Sequence, residues 1–189
     1  FGVKIVSRIA GNHPPLKSDL LLYDSASGQQ LALVDADRIT TLRTAAVATL
    51  AMETLRRPGA SVYAFVGLGN TGQATLECLL SRLGNDSNVE IRLKRYKNHA
   101  ENVAAELSSR WPDVRFRLCD TMEELVEGAD VTVSCITDAD GLLVDDAARF
   151  SPGALLVPVH TRGFQNCDTV FDRIVADDTA HVSSFRYFN

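Results

Sequence analysis

The sequence predicts an α/β protein in which a doubly wound parallel sheet follows an antiparallel start, and three observations carry that expectation. From Ser61 onward, short apolar runs alternate with amphipathic helical stretches. A glycine-rich turn joins the first of those runs to the first of those helices. The residues before Asp37 read instead as strands linked by a polar turn.

In chain order, Gly2 to Ile9 (GVKIVSRI) sets Val3, Ile5 and Ile9 to one side while Lys4 and Ser7 interrupt the pattern, as in a strand. Asn12-His13-Pro14-Pro15 then breaks regular structure. Leu20 to Asp24 and Gln30 to Asp35 flank Ser25-Ala26-Ser27-Gly28, the pattern of a β-hairpin. From Asp37, a candidate N-cap, Ile39, Leu42, Ala46, Val47, Leu50 and Leu55 recur at three- and four-residue spacing, which predicts a helix to residue 57, ended by Pro58-Gly59. Arg43 lies in this helix on the small-residue stretch Thr41-Leu42-Arg43-Thr44-Ala45-Ala46, which permits close approach of a substrate or cofactor; the alternative is a solvated helix arginine.

Val62 to Val66 is a continuous apolar run, as a strand covered on both faces requires. It stops on Gly67-Leu68-Gly69-Asn70-Thr71-Gly72, which fits G-x-G-x-x-G. In that motif the first glycine makes the tight turn, the second lets backbone approach a diphosphate, and the third lets helix pack on strand. A helix starting near Thr71 aims unpaired N–H groups and a positive dipole end at the same point. Asn70 and Thr71 add side-chain donors. Alone the motif also fits an ordinary turn; the strand before it and the helix after it raise it to a dinucleotide site.

The alternation continues. Val89 to Leu93 is a second strand and Asn98 to Arg110 a helix ended by Trp111-Pro112. Val114 to Leu118 is a strand, and Thr121 to Glu127 a short helix with Thr121 and Glu124 as a capping box. Val131 to Ile136, Ala154 to Val159 and Arg173 to Ala176 supply three more strands, the second of them after a turn at Phe150 to Gly153. Repeated β-α-β order implies a Rossmann-type sheet.

An NAD site carries Asp or Glu about 20 residues past the glycines to accept from the ribose 2′-hydroxyl. Here the second strand runs into Lys94-Arg95-Tyr96-Lys97, three cations and no carboxylate. That charge suits a 2′-phosphate, so NADP(H) is expected over NAD(H), with Arg95 as its reader. The alternative is a solvated basic loop.

Composition narrows the partners. With 189 residues, 46% apolar and 23% charged, and a net charge of −5, the chain reads as soluble and globular. It has no basic run of a nucleic-acid binder and no apolar stretch of membrane-spanning length. Cys78, Cys119, Cys135 and Cys167 are widely spaced, with no metal-ligand pattern; they are expected reduced, mostly buried and cytoplasmic.

With these residues laid out, the chain resembles the ornithine cyclodeaminase / mu-crystallin family from Gly2 to about Asp178. Gly2-Val3-Lys4 is similar to the family's substrate-site strand. Leu22-Tyr23-Asp24 with Gly28 and Leu31 to Asp35 is similar to its hairpin, Leu42 to Ala46 to its helix signature, and Gly67 to Gln73 to its glycine-rich turn. The resemblance implies residues 1–57 as part of an antiparallel α+β substrate-binding and dimerisation domain ending in a connecting helix. It implies 58–180 as an NAD(P)-binding Rossmann domain and 181–189 as the start of a return to the first domain. The family's further N-terminal segment, with its carboxylate-binding arginine, and its C-terminal helix have no counterpart here, so a fragment of a homodimeric protein is expected. Lys4 would lie near the reacting carbon and carboxylate, Arg43 would clamp that carboxylate, and Thr44 would stand on the cofactor side. One departure matters. In an ungapped match Arg162 stands where the cyclodeaminases carry the aspartate that acts on the substrate amine, leaving His160 and Asp168 as candidate proton-transfer groups.

The function expected is thus an NAD(P)H-dependent oxidoreductase on a small amino or imino acid, of the imine or ketimine reductase or amino-acid dehydrogenase type. The alternatives are an ornithine or lysine cyclodeaminase with tightly held NAD, and a non-catalytic NADPH-dependent binder of a small ligand. No metal is expected.

Overall fold

The computed structural model of the protein describes residues 1–9, 11, 16–137, 139–159, 163–167, 170–178 and 180. The expected break at Asn12-His13-Pro14-Pro15 and the return at 181–189 lie outside the described residues.

The chain begins with three antiparallel strands, β1 (Gly2–Arg8), β2 (Leu16–Tyr23) and β3 (Gln30–Asp35), in the order β1-β2-β3. Lys4 pairs with Leu20, and Leu20 in turn with Val34. The hairpin turn is closed by Asp24, whose Oδ1 accepts from the amides of Ala26 and Ser27 at 2.9 and 2.7 Å, a side chain imitating a backbone turn. This sheet leaves Val3, Ile5, Leu31 and Leu33 exposed.

Helix α1 (Asp37–Leu55) follows, and here two expectations are corrected. Its N-cap residue is Ala36, not Asp37. The Asp37 carboxylate accepts instead from Lys17 Nζ and the Ser18 amide, both at 2.6 Å, while Asp35 Oδ1 takes the Asp37 amide. A cation and a strand amide within reach outcompete the helix's own first turn. The helix also ends two residues early, its cap being Arg56. The apolar spacing identifies the helix but not its inner face. Thr40, Ala45, Ala48, Thr49 and Met52 are buried, whereas Ile39, Leu42, Val47 and Leu50 are exposed. Small residues let α1 lie close against its neighbours, so the larger side chains point away.

The second sheet has five parallel strands in the order β6-β5-β4-β7-β8. They are β4 (Val62–Val66), β5 (Glu90–Lys94), β6 (Arg115–Cys119), β7 (Val131–Ser134) and β8 (Leu155–Pro158). Helices α2 (Asn70–Leu83) and α3 (His99–Arg110) cross over one face, where Leu76, Leu79, Leu80, Val103 and Leu107 pack with Tyr63, Phe65, Ile91 and Leu93; Met52 brings α1 onto that face. Helix α4 (Met122–Val126) and a 3₁₀ turn at Ala147–Arg149 cover the other face, with Phe150, Phe164 and Cys167 around Ala64 and Val66. Thr121 caps α4 as expected, accepting from the Glu124 amide at 3.1 Å, but Glu124 Oε2 reaches the amide of Asp120 rather than that of Thr121. Arg92, nearly buried in β5, closes the other end of α4 by donating to the Glu127 carbonyl at 2.6 Å.

Arg173–Ala176 does not form the expected strand. It makes no ladder among the described residues, and Ile174 and Val175 are exposed. An apolar run becomes a strand only with a neighbouring edge to pair with. Among the described residues no helix is long and apolar enough to cross a membrane, and Cys78, Cys119 and Cys135 are thiols outside any disulfide.

Candidate dinucleotide site

The strand order reverses between β4 and β7, and β4 runs into the glycine turn at that switch point, where open α/β sheets bind ligands beyond their carboxyl ends. Gly67 has φ of +86°, and a Cβ there would lie 2.6 Å from the Ile136 amide nitrogen. A Cβ on Gly72 would lie 2.0 Å from the Gly67 carbonyl oxygen. The first glycine is therefore fixed by close approach of the chain leaving β7, and the third by close packing of α2 on the turn. Gly69 differs: nothing lies within 4 Å of its Cβ direction. Gly69 is also the N-cap of α2 and provides no side-chain cap, so the amides of the first turn stay available. The turn is closed where the fold needs packing and open where a diphosphate would approach, which is the fit a dinucleotide requires. Asn70, exposed, and Thr71, half-buried, stand at the mouth of this opening. Gln73 braces the turn by donating to the Leu68 carbonyl at 2.8 Å. Beneath it, burial pushes the Cys135 thiol up to about 11 against a hydrogen bond with Thr75, so it stays protonated at neutral pH.

At the tip of β5 the structure changes the picture of a bare cationic cluster. The Arg95 amide donates to the Cys119 carbonyl at 2.9 Å. Its guanidinium donates through Nε to Glu101 Oε1 at 2.9 Å and through Nη1 to both oxygens of Asp120, at 2.8 and 2.9 Å. These partners, Asp120 first, raise the Arg95 pKa above its ordinary value. Lys94 Nζ is turned onto the carbonyls of Asp120 and Arg95, and Lys97 Nζ lies 5.3 Å from the Tyr96 ring centroid. The expectation that no carboxylate stands at this tip is thus corrected. Pairing of Lys94 with Cys119 sets Arg95 opposite Asp120, and the first turn of α3 brings Glu101 back over both. Aligning the strand tips of a parallel sheet would have found Asp120; reading β5 alone does not.

Lys4 and Arg43 are brought to one helix. Lys4 Nζ donates to Thr40 Oγ1 at 3.3 Å, and Thr40 Oγ1 donates to Ser18 Oγ at 3.0 Å, with Thr40 and Ser18 buried. Arg43 lies one turn on, exposed and without an ion pair among the described residues. Thr44 Oγ1 donates to the Thr40 carbonyl at 3.0 Å, which leaves its lone pairs rather than its proton for a ligand. A cleft of about 440 Å³, lined by Arg38, Thr41 and Leu42 of α1 and by Asn70, Gln73 and Ala74 of α2, sets the start of α1 beside the start of the glycine helix. A larger cleft, about 570 Å³, lies at the opposite, amino end of strands β4 and β5, and its Arg56, Arg57 and Arg82 are already bonded to Tyr63, Asp130 and Glu53 respectively. His160, Arg162 and Asp168 lie outside the described residues.

The model of the ornithine cyclodeaminase/mu-crystallin family matches residues 2–169. The chain belongs to that family. The ketimine reductase mu-crystallin of Mus musculus is 31% identical over 142 residues, which cover 75% of this chain and 42% of the mouse protein. The chain therefore spans less than half the length of this relative. Among solved structures, the Thermococcus litoralis Δ1-pyrroline-2-carboxylate reductase, in complex with NADH and L-proline, superposes with a TM-score of 0.71 at 21% identity, covering 83% of this chain and 48% of that one. A probable ornithine cyclodeaminase from Bordetella pertussis superposes with a TM-score of 0.65 at 26% identity, covering 83% and 47%.

Proposed function

We propose that the protein is an NAD(P)H-dependent oxidoreductase acting on a small amino or imino acid, as the ketimine reductase activity named for its mouse relative suggests. The observation that carries this reading is the contrast within one turn: side-chain space is closed at Gly67 and Gly72 and open at Gly69. Gly67, Gly69, Asn70, Thr71 and Gly72 hold the diphosphate, with Thr44 beside it, and Arg95 meets the ribose. NADP(H) is the preferred cofactor and NAD(H) a possible one. When bound, the nicotinamide supplies or accepts hydride, the redox chemistry that the protein's own side chains lack. The chain's part is orientation and charge. The Arg43 guanidinium offers two parallel donors to the substrate carboxylate, and Lys4, held on Thr40, adds a second positive charge beside it. His160 and Asp168 remain the candidates to move a proton to or from the substrate nitrogen.

In this reading residues 1–57 are part of a substrate and dimerisation domain, 58–180 bind the nucleotide, and 181–189 lead back. The exposed apolar side chains Val3, Ile5, Leu31 and Leu33 fit a sheet that the rest of a homodimeric protein covers. Thiols at Cys78, Cys119 and Cys135 fit a reducing cytoplasm. Arg162, where the cyclodeaminases carry an aspartate, disfavours ornithine cyclisation. The test is an assay of the full-length protein with cyclic ketimines, then with pyruvate plus amines. Oxidation of NADPH supports the proposal, and its absence across the panel overturns it. Ammonia release from ornithine or lysine without net cofactor turnover would assign a cyclodeaminase instead. Retention of NADPH and ligand without turnover would assign a binding protein.

A further inference from the structure

We propose that Asp120 and Glu101 tune cofactor choice by weakening the attraction of Arg95 for a 2′-phosphate, so that the site accepts NAD(H) as well as NADP(H). The inference rests on the reading that the adenosine ribose lies at the tip of β5. Nε of the guanidinium is committed to Glu101 and Nη1 to Asp120, and only Nη2 is without a partner among the described residues. One cation holding two carboxylates is a net anion. A phosphate reaching Nη2 therefore meets repulsion from both acids along with attraction from the guanidinium. A ribose hydroxyl meets no such penalty. Glu101 Oε2 is shielded from solvent with no hydrogen-bond partner among the described residues, so its charge is poorly screened and adds to the repulsion a phosphate meets. Both carboxylates act in one direction, against the phosphorylated cofactor and toward the unphosphorylated one. Lys94 Nζ, bonded to backbone carbonyls, and Lys97 Nζ, over Tyr96, keep their charges, so the tip stays cationic and the two acids lessen its attraction for a phosphate without abolishing it.

The test is a titration of the full-length protein with NADPH and with NADH, followed by calorimetry or nucleotide fluorescence, for the wild type and for D120N, D120A, E101Q and R95A. The two amide variants, D120N and E101Q, keep an acceptor for Arg95 and lose only the charge. The ratio of Kd for NADH to Kd for NADPH is expected to rise about fivefold in each of them, the size of one screened charge removed near a dianion. D120A is expected to move the same way. An unchanged ratio in both D120N and E101Q overturns the proposal. So does a D120A protein that binds NADPH more weakly, because Asp120 would then be positioning Arg95 for the phosphate. R95A separates this failure from failure of the ribose reading. If R95A weakens NADPH while the carboxylate variants change nothing, Arg95 still reads the phosphate and only this proposal falls. If R95A leaves both affinities alone, both fall.

Discussion

Lys4 Nζ donates to Thr40 Oγ1 at 3.3 Å, which ties the first strand of the antiparallel sheet to the helix that carries Arg43 and Thr44. Thr40 in turn donates to Ser18 Oγ at 3.0 Å on the neighbouring strand, so one hydroxyl serves as acceptor and donor in a single joint. Lys4 thereby reaches the helix that carries Arg43, 39 positions on in the chain.

Thr40→Val removes the hydroxyl while nearly keeping the shape. Lys4 loses its anchor and Ser18 its donor, so a carboxylate substrate meets an ammonium that is no longer positioned. KM for that substrate is expected to rise about tenfold, the loss of one charge-assisted contact, with a smaller change in kcat. Affinity for the nicotinamide nucleotide is expected to hold. Unchanged KM in steady-state assays would count against any role for Lys4 at the carboxylate.

The glycine turn permits a sharper experiment, because its members differ in the space around them. Gly69→Ala meets no atom within 4 Å, and its backbone, with φ of −77°, is one that alanine adopts. The variant is expected to fold with stability within about 0.5 kcal/mol of wild type. On the proposed placement of the cofactor its methyl projects toward the diphosphate, so nucleotide affinity is expected to fall about tenfold or more. Gly72→Ala places its methyl 2.0 Å from the Gly67 carbonyl and forces helix from strand. That variant is expected to lose about 2 kcal/mol or more in denaturant melts. Equal effects of the two substitutions on stability would remove the ground for reading the turn as a ligand cradle.

Cys135 offers a test of burial beneath that cradle. A protonated thiol, with its pKa pushed up to about 11 by burial, is a poor nucleophile, and reactivity follows the thiolate. Iodoacetamide at pH 8 followed by peptide mass spectrometry is expected to leave Cys135 unlabelled in the native protein and labelled after unfolding. Rapid native labelling would mean that the turn opens.

Much of this architecture is legible in the sequence because parallel strands buried on both faces are written as apolar runs, such as Val62 to Val66, between glycine and helix signals. The features that escape are those in which the chain's neighbours decide. The inner face of α1 is carried by Ala45, Ala48 and Thr49, residues without hydrophobic contrast, while the apolar side chains that announce the helix lie outside. Arg173 to Ala176 has the composition of a strand and, among the described residues, no edge to join. The glycine turn Gly67 to Gly72 is local in sequence and readable there. Asp120 comes to Arg95 across 25 positions through strand register, and Ser18 comes to Thr40 across 22, which periodicity within one element does not reveal.

Asp130 makes stability depend on acid in a direction that can be worked out. Burial alone would raise its pKa, but the amides of Ser61 and Val62, at 2.8 and 2.9 Å from Oδ2, together with the Arg57 guanidinium outweigh that and hold the carboxyl below its ordinary value. The carboxylate thus joins the starts of β4 and β7 to Arg57, two residues past the end of α1. A carboxyl with a depressed pKa binds protons more weakly folded than unfolded. Its contribution is therefore complete above the unfolded value of about 3.9 and is lost as pH falls through the lower folded value. Wild-type stability, followed by urea melts between pH 6 and pH 3, is expected to drop most steeply below about pH 4. Asp130→Ala strands two backbone amides at a part-buried strand start and is expected to cost about 2 kcal/mol near pH 7. The ion pair itself adds little to that figure, because the Arg57 side chain is 50% exposed. In the variant the acid-side slope should flatten, since one of the groups that must be protonated is gone. A variant that unfolds with the same slope as wild type would show that the acid sensitivity lies elsewhere.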